Sequence, residues 1–295
     1  RLRIFAGPNG SGKSTLLNSL AKEKIAITAN KVQTTRTAIK AILNDDNYQI
    51  IITDTPGIHK PKTKLGQTMV DTAFTMFSEV DVILFLIEAD STEIGRGDRR
   101  ILDKIIESKK PCILVINKID LIQKDKLWNL INLYSKEYNF SAVIPISATK
   151  KDGIDNIIAE VLKLLPEGPR YYADDEYTDQ TMRQMAEEAI REKALKFLND
   201  EVPHGIYIEV EEFKDRLTSK GEQIYDISAT IYCLRESHKG IIIGKGGNLL
   251  KKIATYARQD LEKQFDSKIN LKVWVKVKED WQEKDNIVNK FKLKG

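Results

Sequence analysis

Short apolar runs and amphipathic stretches alternate through the first half of the chain. Leu2–Ala6, Ile50–Thr53, Val82–Ile87, Cys112–Ile116 and Val143–Ile146 are near-continuous apolar segments, the pattern of strands covered on both faces of a parallel sheet. Between them, Ser14–Ala21, Arg99–Glu107 and Ile154–Leu165 place apolar residues at helical spacing. This alternation predicts a doubly wound α/β sheet. The helical pattern stops at Pro166, Gly168 and Pro169, and the next stretch, to residue 180, is polar, acidic and tyrosine-containing. The rhythm then changes. A helix is predicted over Thr181–Leu198, strands over Gly205–Glu212 and Gln223–Arg235, then a glycine loop, a helix over Leu249–Phe265 and a strand over Asn270–Val277. Alternation of Leu271, Val273, Val275 and Val277 fits a sheet with one solvated face. Two domains follow, residues 1–168 and a smaller α+β domain at 181–295, joined by a linker at 169–180.

Composition narrows the class. A chain of 295 residues is long enough for two cores. The longest apolar run, Val80 to Ile87, is broken by Asp81 and is far shorter than a membrane span. No signal pattern is read in the opening Arg-Leu-Arg. Cys112 and Cys233 lie in apolar stretches without metal-ligand spacing, which predicts buried, reduced thiols of a cytosolic protein. Net charge is +4, but unevenly spread: residues 239–295 carry 14 Lys/Arg against 7 Asp/Glu, and the rest of the chain 33 against 36. A basic end after a near-neutral body suits a polyanionic partner, the plain alternative being a solvated face.

Gly7-Pro8-Asn9-Gly10-Ser11-Gly12-Lys13-Ser14 fits the P-loop pattern between a predicted strand and helix, with Thr15 extending the contact set. Its glycines let backbone N–H groups curl around a phosphate, Lys13 neutralises β/γ oxygens, and Ser14 offers a Mg²⁺ ligand. The loop alone does not distinguish ATP from GTP. Asn117-Lys118-Ile119-Asp120 does so, at the end of a buried strand. The Asp120 carboxylate can accept from N1–H and the 2-amino group of guanine, whereas adenine has neither donor, leaving the acceptor unpaired. Asn117 is expected to brace the loops, Lys118 to cover the base, and Ser147-Ala148 to offer a backbone N–H to guanine O6. Asp54-Thr55-Pro56-Gly57 supplies a switch: Asp54 holds Mg²⁺ through water and the Gly57 N–H senses the γ-phosphate. Within Gln33-Thr34-Thr35-Arg36, Thr35 is the expected Mg²⁺-closing threonine, with Thr34 as the alternative. The expected catalytic set is therefore Lys13, Thr35, Asp54 and Gly57, and the metal set Ser14, Thr35 and Asp54. Ras-like GTPases carry a water-orienting Gln after the switch glycine; Ile58 occupies that position, so intrinsic turnover is expected to be slow, or to rely on backbone, a cation or a partner.

The glycine loop of the second half reads Ile243-Gly244-Lys245-Gly246-Gly247, followed by Lys251 and Lys252. Gly-x-x-Gly before a helix, with this element order, predicts a type II KH domain in which the loop approaches an RNA backbone and single-stranded bases lie in the adjoining groove. Ile241–Ile243, Leu249, Leu250 and Ile253 are the expected apolar floor of that groove, and the lysines attract phosphate.

With Ile25–Thr28, Gln33–Arg36, Asp54–Lys62, Ile94–Asp98, Leu165–Pro169, Ile190–Lys193 and Trp274–Val277, these motifs resemble the Era family of bacterial ribosome-assembly GTPases over nearly the whole chain. The resemblance implies a Mg²⁺-dependent GTP/GDP switch that binds the 3′ end of 16S rRNA during maturation of the 30S ribosomal subunit. It also implies a monomer off the ribosome, cytoplasmic with peripheral association with the inner membrane. One position departs from the family. Its P-loop usually reads Gly-Arg-Pro-Asn-Val-Gly-Lys-Ser, and in related GTPases that Asn helps hold a potassium ion; here the position is Gly10. The stretch Ile4–Thr15 is closer to ATP-using P-loops, so an ATP-dependent kinase stands as an alternative, opposed by Asn117–Asp120. An RNA-binding assembly factor with a weak nucleotide domain is the other.

Overall fold

In chain order the first half forms β1 (Leu2–Ala6), α1 (Lys13–Ala21), β2 (Ile39–Asn44), β3 (Gln49–Asp54), α2 (Lys64–Glu79), β4 (Val82–Glu88), α3 (Arg96–Ser108), β5 (Cys112–Asn117), α4 (Lys124–Ser135), β6 (Ala142–Pro145) and α5 (Ile154–Leu164). The computed structural model describes residues 2–8, 10–29, 31, 34–58 and 61–291. It divides into two units: Arg1–Ala26 with Thr35–Asp179 and Val288–Gly295, and Ile27–Thr34 with Gln180–Ile287.

The first unit is a six-stranded sheet ordered β2-β3-β1-β4-β5-β6, parallel except for β2. Strand β4 explains why its sequence is apolar throughout. Val82, Leu84 and Leu86 face the core under α1 and α5, while Ile83, Phe85 and Ile87 face the core under α2, α3 and α4. With both faces covered, β1, β3 and β5 deliver their C-terminal ends, at Ala6, Asp54 and Asn117, to one edge of the sheet, where the motifs lie. Strand β2 and helices α2 and α4 are additions to the sequence reading. In α2, a glycine and three threonines weaken the helical signal, and the Thr63 hydroxyl starts the helix by accepting from Gly66 N at 3.1 Å.

The stretch expected as a linker is docked on the edge strand. Ile42 N donates to Tyr177 O at 2.9 Å, and Thr178 Oγ1 donates to Lys40 O at 2.8 Å. The Asn44 amide donates to Asp174 O and Glu176 O, and Gln49 exchanges bonds with the backbone of Tyr171 and Tyr172. Residues 170–178 thus cover the open side of β2, whose backbone groups otherwise invite pairing with another chain.

The second unit comprises α6 (Met182–Phe197), β7 (Tyr207–Leu217), β8 (Gln223–Cys233), α7 (Glu236–Ile243), α8 (Asn248–Gln264) and β9 (Lys268–Val277). Its sheet runs β7-β8-β9, with β7 antiparallel and β9 parallel to β8. Thr181 and Gln184 form a capping box at the start of α6, worth about 1 kcal/mol. Where the β7–β8 register shifts between Val210 and Glu212, α6 satisfies the freed groups: Val210 N donates to Glu187 Oε1 at 2.9 Å, and the Arg183 guanidinium donates to Val210 O. Trp281 is fully buried, and its Nε1–H donates to Gly205 O at 2.9 Å.

One correction concerns the glycine loop's approach. The predicted strand over Gln223–Arg235 ends at Cys233, and α7 stands where the sequence pattern predicts only a loop. Its Gly240 and three consecutive isoleucines argue locally against a helix, and burial of Ile242 in the core overrides that preference. Both cysteines are buried and unbridged. Among the described residues no helix is long and apolar enough to cross a membrane.

Candidate nucleotide and RNA sites

The loop after β1 is shaped by packing from within. A Cβ at Gly7 would lie 2.6 Å from Leu86 O, and one at Gly12, where φ is +91°, only 2.2 Å from Asn117 Nδ2. Ser11 Oγ donates to Pro8 O at 3.0 Å and holds the loop's curl. The buried Lys13 ammonium donates to Gly7 O and Pro8 O, each at 2.9 Å. Burial pushes its pKa down and that of the buried Asp54 up, and each charge opposes the other's shift. Asn9 lies outside the described residues; Thr15 is half-buried at the third position of α1.

Three separate segments meet beside Lys13. Ser14 Oγ donates to Asp54 Oδ2 at 2.5 Å, Thr35 Oγ1 donates to the same oxygen at 3.1 Å, and the two hydroxyls are 3.0 Å apart. Asp54 Oδ1 is buried with no hydrogen-bond partner among the described residues, a buried acceptor left for a cation or its water to satisfy. One carboxylate and two hydroxyls are a hard oxygen set suited to Mg²⁺. Thr34 takes the other course: its hydroxyl donates to Lys31 O at 2.6 Å and to Ala29 O at 3.1 Å. Geometry therefore favours Thr35 over Thr34. Gly57 and Ile58 are buried, Ile58 within the core on the α2 side of the sheet, so the isoleucine side chain turns away from water. His59 and Lys60, like Gln33, lie outside the described residues.

Asn117 braces the base-side loops. Its Nδ2 donates to Ser11 O at 2.9 Å, and its Oδ1 accepts from Lys118 N at 2.8 Å and Ala148 N at 3.0 Å. The Ala148 N–H expected for guanine O6 is thus held by Asn117. Asp120 follows in an exposed helical turn, its carboxyl kept below the usual range chiefly by a hydrogen bond from Ser147, with Lys150 3.7 Å away. Lys118, at φ +67°, pairs with Glu88 at 2.9 Å. The sequence reading missed Glu88, an acidic residue ending a buried strand at the motif edge. Its Oε1 lies 3.0 Å from where a Gly10 Cβ would stand. Gly10 itself offers no side-chain oxygen, so this loop does not fit a potassium ion held by an asparagine there.

The Gly-x-x-Gly loop joins α7 to α8. Gly244, Gly246 and Gly247 have φ of +72°, +60° and +78°. A Cβ at Gly244 would meet Leu249 Cβ at 2.7 Å, whereas at Gly246 and Gly247 nothing among the described residues lies within 4 Å. Lys245 and Lys251 are exposed, and Lys252 Nζ sits 4.3 Å over the Phe197 ring. The expected floor needs correction: Ile242 and Ile253 are fully buried in the core, and Ile241 is half exposed. Ile243, Leu249 and Leu250, each partly buried, are the members of that set that remain partly accessible beside the loop.

Comparison with known proteins identifies the family and both domains. The profile of a 50S ribosome-binding GTPase family matches residues 3–118, and that of the KH domain residues 201–282. The GTPase Era of Ruminiclostridium cellulolyticum is 51% identical over 285 residues, covering 97% of this chain and 94% of that protein. Era of Aquifex aeolicus bound to GDP and AlF4⁻ superposes with a TM-score of 0.93 at 37% identity, covering 98% of this chain and 97% of that one. An Era structure in complex with MgGDPNP and nucleotides 1506–1542 of 16S ribosomal RNA gives 0.92 at 38% identity, with the same coverage.

Proposed function

The chain belongs to the Era family of GTPases, and on that premise we propose that it is a Mg²⁺-dependent GTP switch whose KH domain, residues 181–295, binds the 3′ end of 16S rRNA and assists 30S maturation in the cytoplasm. The observation that carries the nucleotide reading is the convergence of Ser14 and Thr35 on Asp54 Oδ2, from three segments, beside an Oδ1 with no hydrogen-bond partner among the described residues. Lys13 and the P-loop N–H groups of Gly10–Ser14 cradle the phosphates, and Gly57 N–H senses the γ-phosphate. Asp120 selects guanine through its two acceptor oxygens. Ser14, Thr35 and, through water, Asp54 hold the metal, which when bound supplies charge neutralisation at the phosphates. Ile58 in the core leaves water orientation to backbone groups or a partner, and a slow intrinsic rate follows. On the RNA side, Gly244–Gly247 lie against the sugar–phosphate backbone and Lys245 and Lys251 supply attraction, while Ile243 contacts a base.

A phosphate-release assay under multiple turnover, with GTP and ATP in competition, tests the reading. Guanine-selective turnover is expected, lost in Lys13→Ala through weakened GTP binding and in Asp54→Ala through failed Mg²⁺-dependent closure. Wild-type hydrolysis by Lys13→Ala would remove the P-loop assignment.

A further inference from the structure

The loop that leads into Thr35 is gripped by buried charge. Helix α6 is buried all round near its C-terminal end, and three of the residues taken inside are Arg191, Glu192 and Lys193, at 3%, 5% and 8% exposure. Charged side chains are rarely buried to this degree without a specific partner. Arg191 makes a two-bond pair with Glu188, Nε–H to Oε1 at 2.9 Å and Nη2–H to Oε2 at 2.6 Å. Its Nη2 also donates to the backbone carbonyl of Thr34. Next along the helix, Glu192 Oε1 accepts from Thr28 N at 3.2 Å, and its Oε2 accepts from Lys193 Nζ at 2.9 Å. Lys193 is tied in turn to Asp260 of α8. The segment Ile27–Thr34 is therefore held at both ends by α6, and the unit it packs in is that of the KH fold.

Arg191 Nη1 is buried with no acceptor among the described residues. Its other nitrogens hold Glu188 and the carbonyl next to Thr35. A peptide bond separates that carbonyl from a residue whose hydroxyl sits 3.0 Å from Ser14 Oγ and 3.1 Å from Asp54 Oδ2.

We propose that Arg191, oriented by Glu188, is a positioning residue for the nucleotide switch: it holds the Thr34 carbonyl so that Thr35 stands ready in the metal site, and thereby sets the preference for GTP over GDP. Glu192, through Thr28 N–H, fixes the other end of the same loop. The inference rests on the assignment of Thr35 made above. On that assignment Thr35 serves enclosure of the γ-phosphate, so loosening the loop weakens binding of the triphosphate and spares the diphosphate.

The experiment measures Mg²⁺-dependent affinities of the full chain for fluorescent GDPNP and GDP. In Arg191→Met the GDPNP-to-GDP affinity ratio should fall about tenfold, the worth of a hydrogen bond to a charged group, with GDP affinity within about twofold of wild type. Arg191→Lys, which keeps one charged donor, should recover part of the loss. Glu188→Gln with Arg191→Met removes both charges, so no carboxylate is left buried alone, and it should show the same fall with the fold intact. Thr35→Ala should lower the ratio by itself, and adding Arg191→Met should lower it no further. Parallel loss of both nucleotides in the charge-neutral double variant, or additivity with Thr35→Ala, overturns the clamp. If Thr35→Ala lowers the ratio and Arg191→Met does not, the clamp alone falls. An unchanged ratio in Thr35→Ala removes the Thr35 assignment and the clamp with it.

Discussion

The two glycine loops of this molecule look alike in sequence and are built for opposite reasons. At Gly7 and Gly12 a side chain has no room, because Leu86 O and Asn117 Nδ2 occupy the space. At Gly246 and Gly247 a Cβ would meet nothing among the described residues within 4 Å, and the positive φ alone asks for glycine. The first loop is thus shaped by its own protein before any phosphate arrives. The second is a bare stretch of backbone displayed at the surface, with Gly244 alone packed, against Leu249. Substitution therefore tests different things in the two loops: internal fit in one, external access in the other.

The largest effect should come where that contrast is sharpest. Gly12→Ala places a methyl group within 2.2 Å of the Asn117 amide at a φ of +91°. It should abolish measurable GDP binding by titration, while RNA affinity of the KH unit stays near wild type. Retained nucleotide affinity would show that the P-loop can relax and that the comparison is overdrawn.

A second test asks whether the rigid loop belongs to a guanine site at all. Asp120→Asn replaces a carboxylate acceptor with an amide able to donate to the 2-oxo group of xanthine. The GDP-to-XDP affinity ratio should fall by about two orders of magnitude or more, as expected when a site built for specific hydrogen bonds meets the wrong partner. An unchanged ratio would take Asp120 out of the base site.

The open loop should tolerate what the closed one does not. Lys245→Asp with Gly246→Asp adds two carboxylates, the second where nothing among the described residues lies in the way, and a φ of +60° is one that Asp enters more readily than most residues. Affinity for single-stranded RNA should fall more than about tenfold, and wild-type affinity should decline with salt at a slope of about −0.7 per phosphate neutralised. GTP affinity and cooperative unfolding should be preserved. Loss of folding would mean the loop is structural after all, and undiminished RNA binding would move the RNA to another surface.

The smallest effect sharpens the contrast between the units' buried charge. Lys13 and Asp54 oppose each other's shifts, but Glu187 has burial, Glu188 and Glu209 all raising its pKa, to about 7, against the Val210 N–H and Arg183. A carboxyl raised in the folded state binds a proton that the unfolded chain releases, so stability falls as pH rises from 4.5 to about 7 and stays lowered above. Glu187→Gln removes that slope. Urea unfolding should show the variant no more stable at pH 4 and more stable at pH 8, by about 2 kcal/mol. Parallel pH profiles would place Glu187 in ordinary solvent.

Several features are legible in the sequence because their cause is local. Phosphate cradling needs glycines between a strand and a helix, and guanine selection needs a carboxylate just past a buried strand. Gly7–Ser14, Asp54–Gly57 and Asn117–Asp120 stand out by spacing, by their order along the chain and by their place at the ends of apolar strands. The same holds for β4 and β5, whose short, nearly unbroken apolar runs suit central strands covered on both faces. Helix α7 is not legible, since Gly240 and the isoleucines favour extended backbone and only docking of Ile242 makes them a helix. Nor is the strap over β2, because residues 170–178 have the composition of a free linker and gain their place through the Asn44 and Gln49 amides.

What the amino-acid order determined by itself is which chemical groups stand at which ends of strands, since that follows from backbone period and short-range spacing. Tertiary structure decided how those groups are used. Thr34 and Thr35 are adjacent and chemically identical, yet one bonds within its own loop and the other reaches Ser14 and Asp54. The charged run Arg191–Lys193 would pass for a solvated helix face, and it is buried because the loop Ile27–Thr34 and helix α8 come to lie against it. Partners of this kind, more than 60 residues distant in the chain, leave no periodic trace. Only the folding of the backbone brings their donors and acceptors within reach of one another.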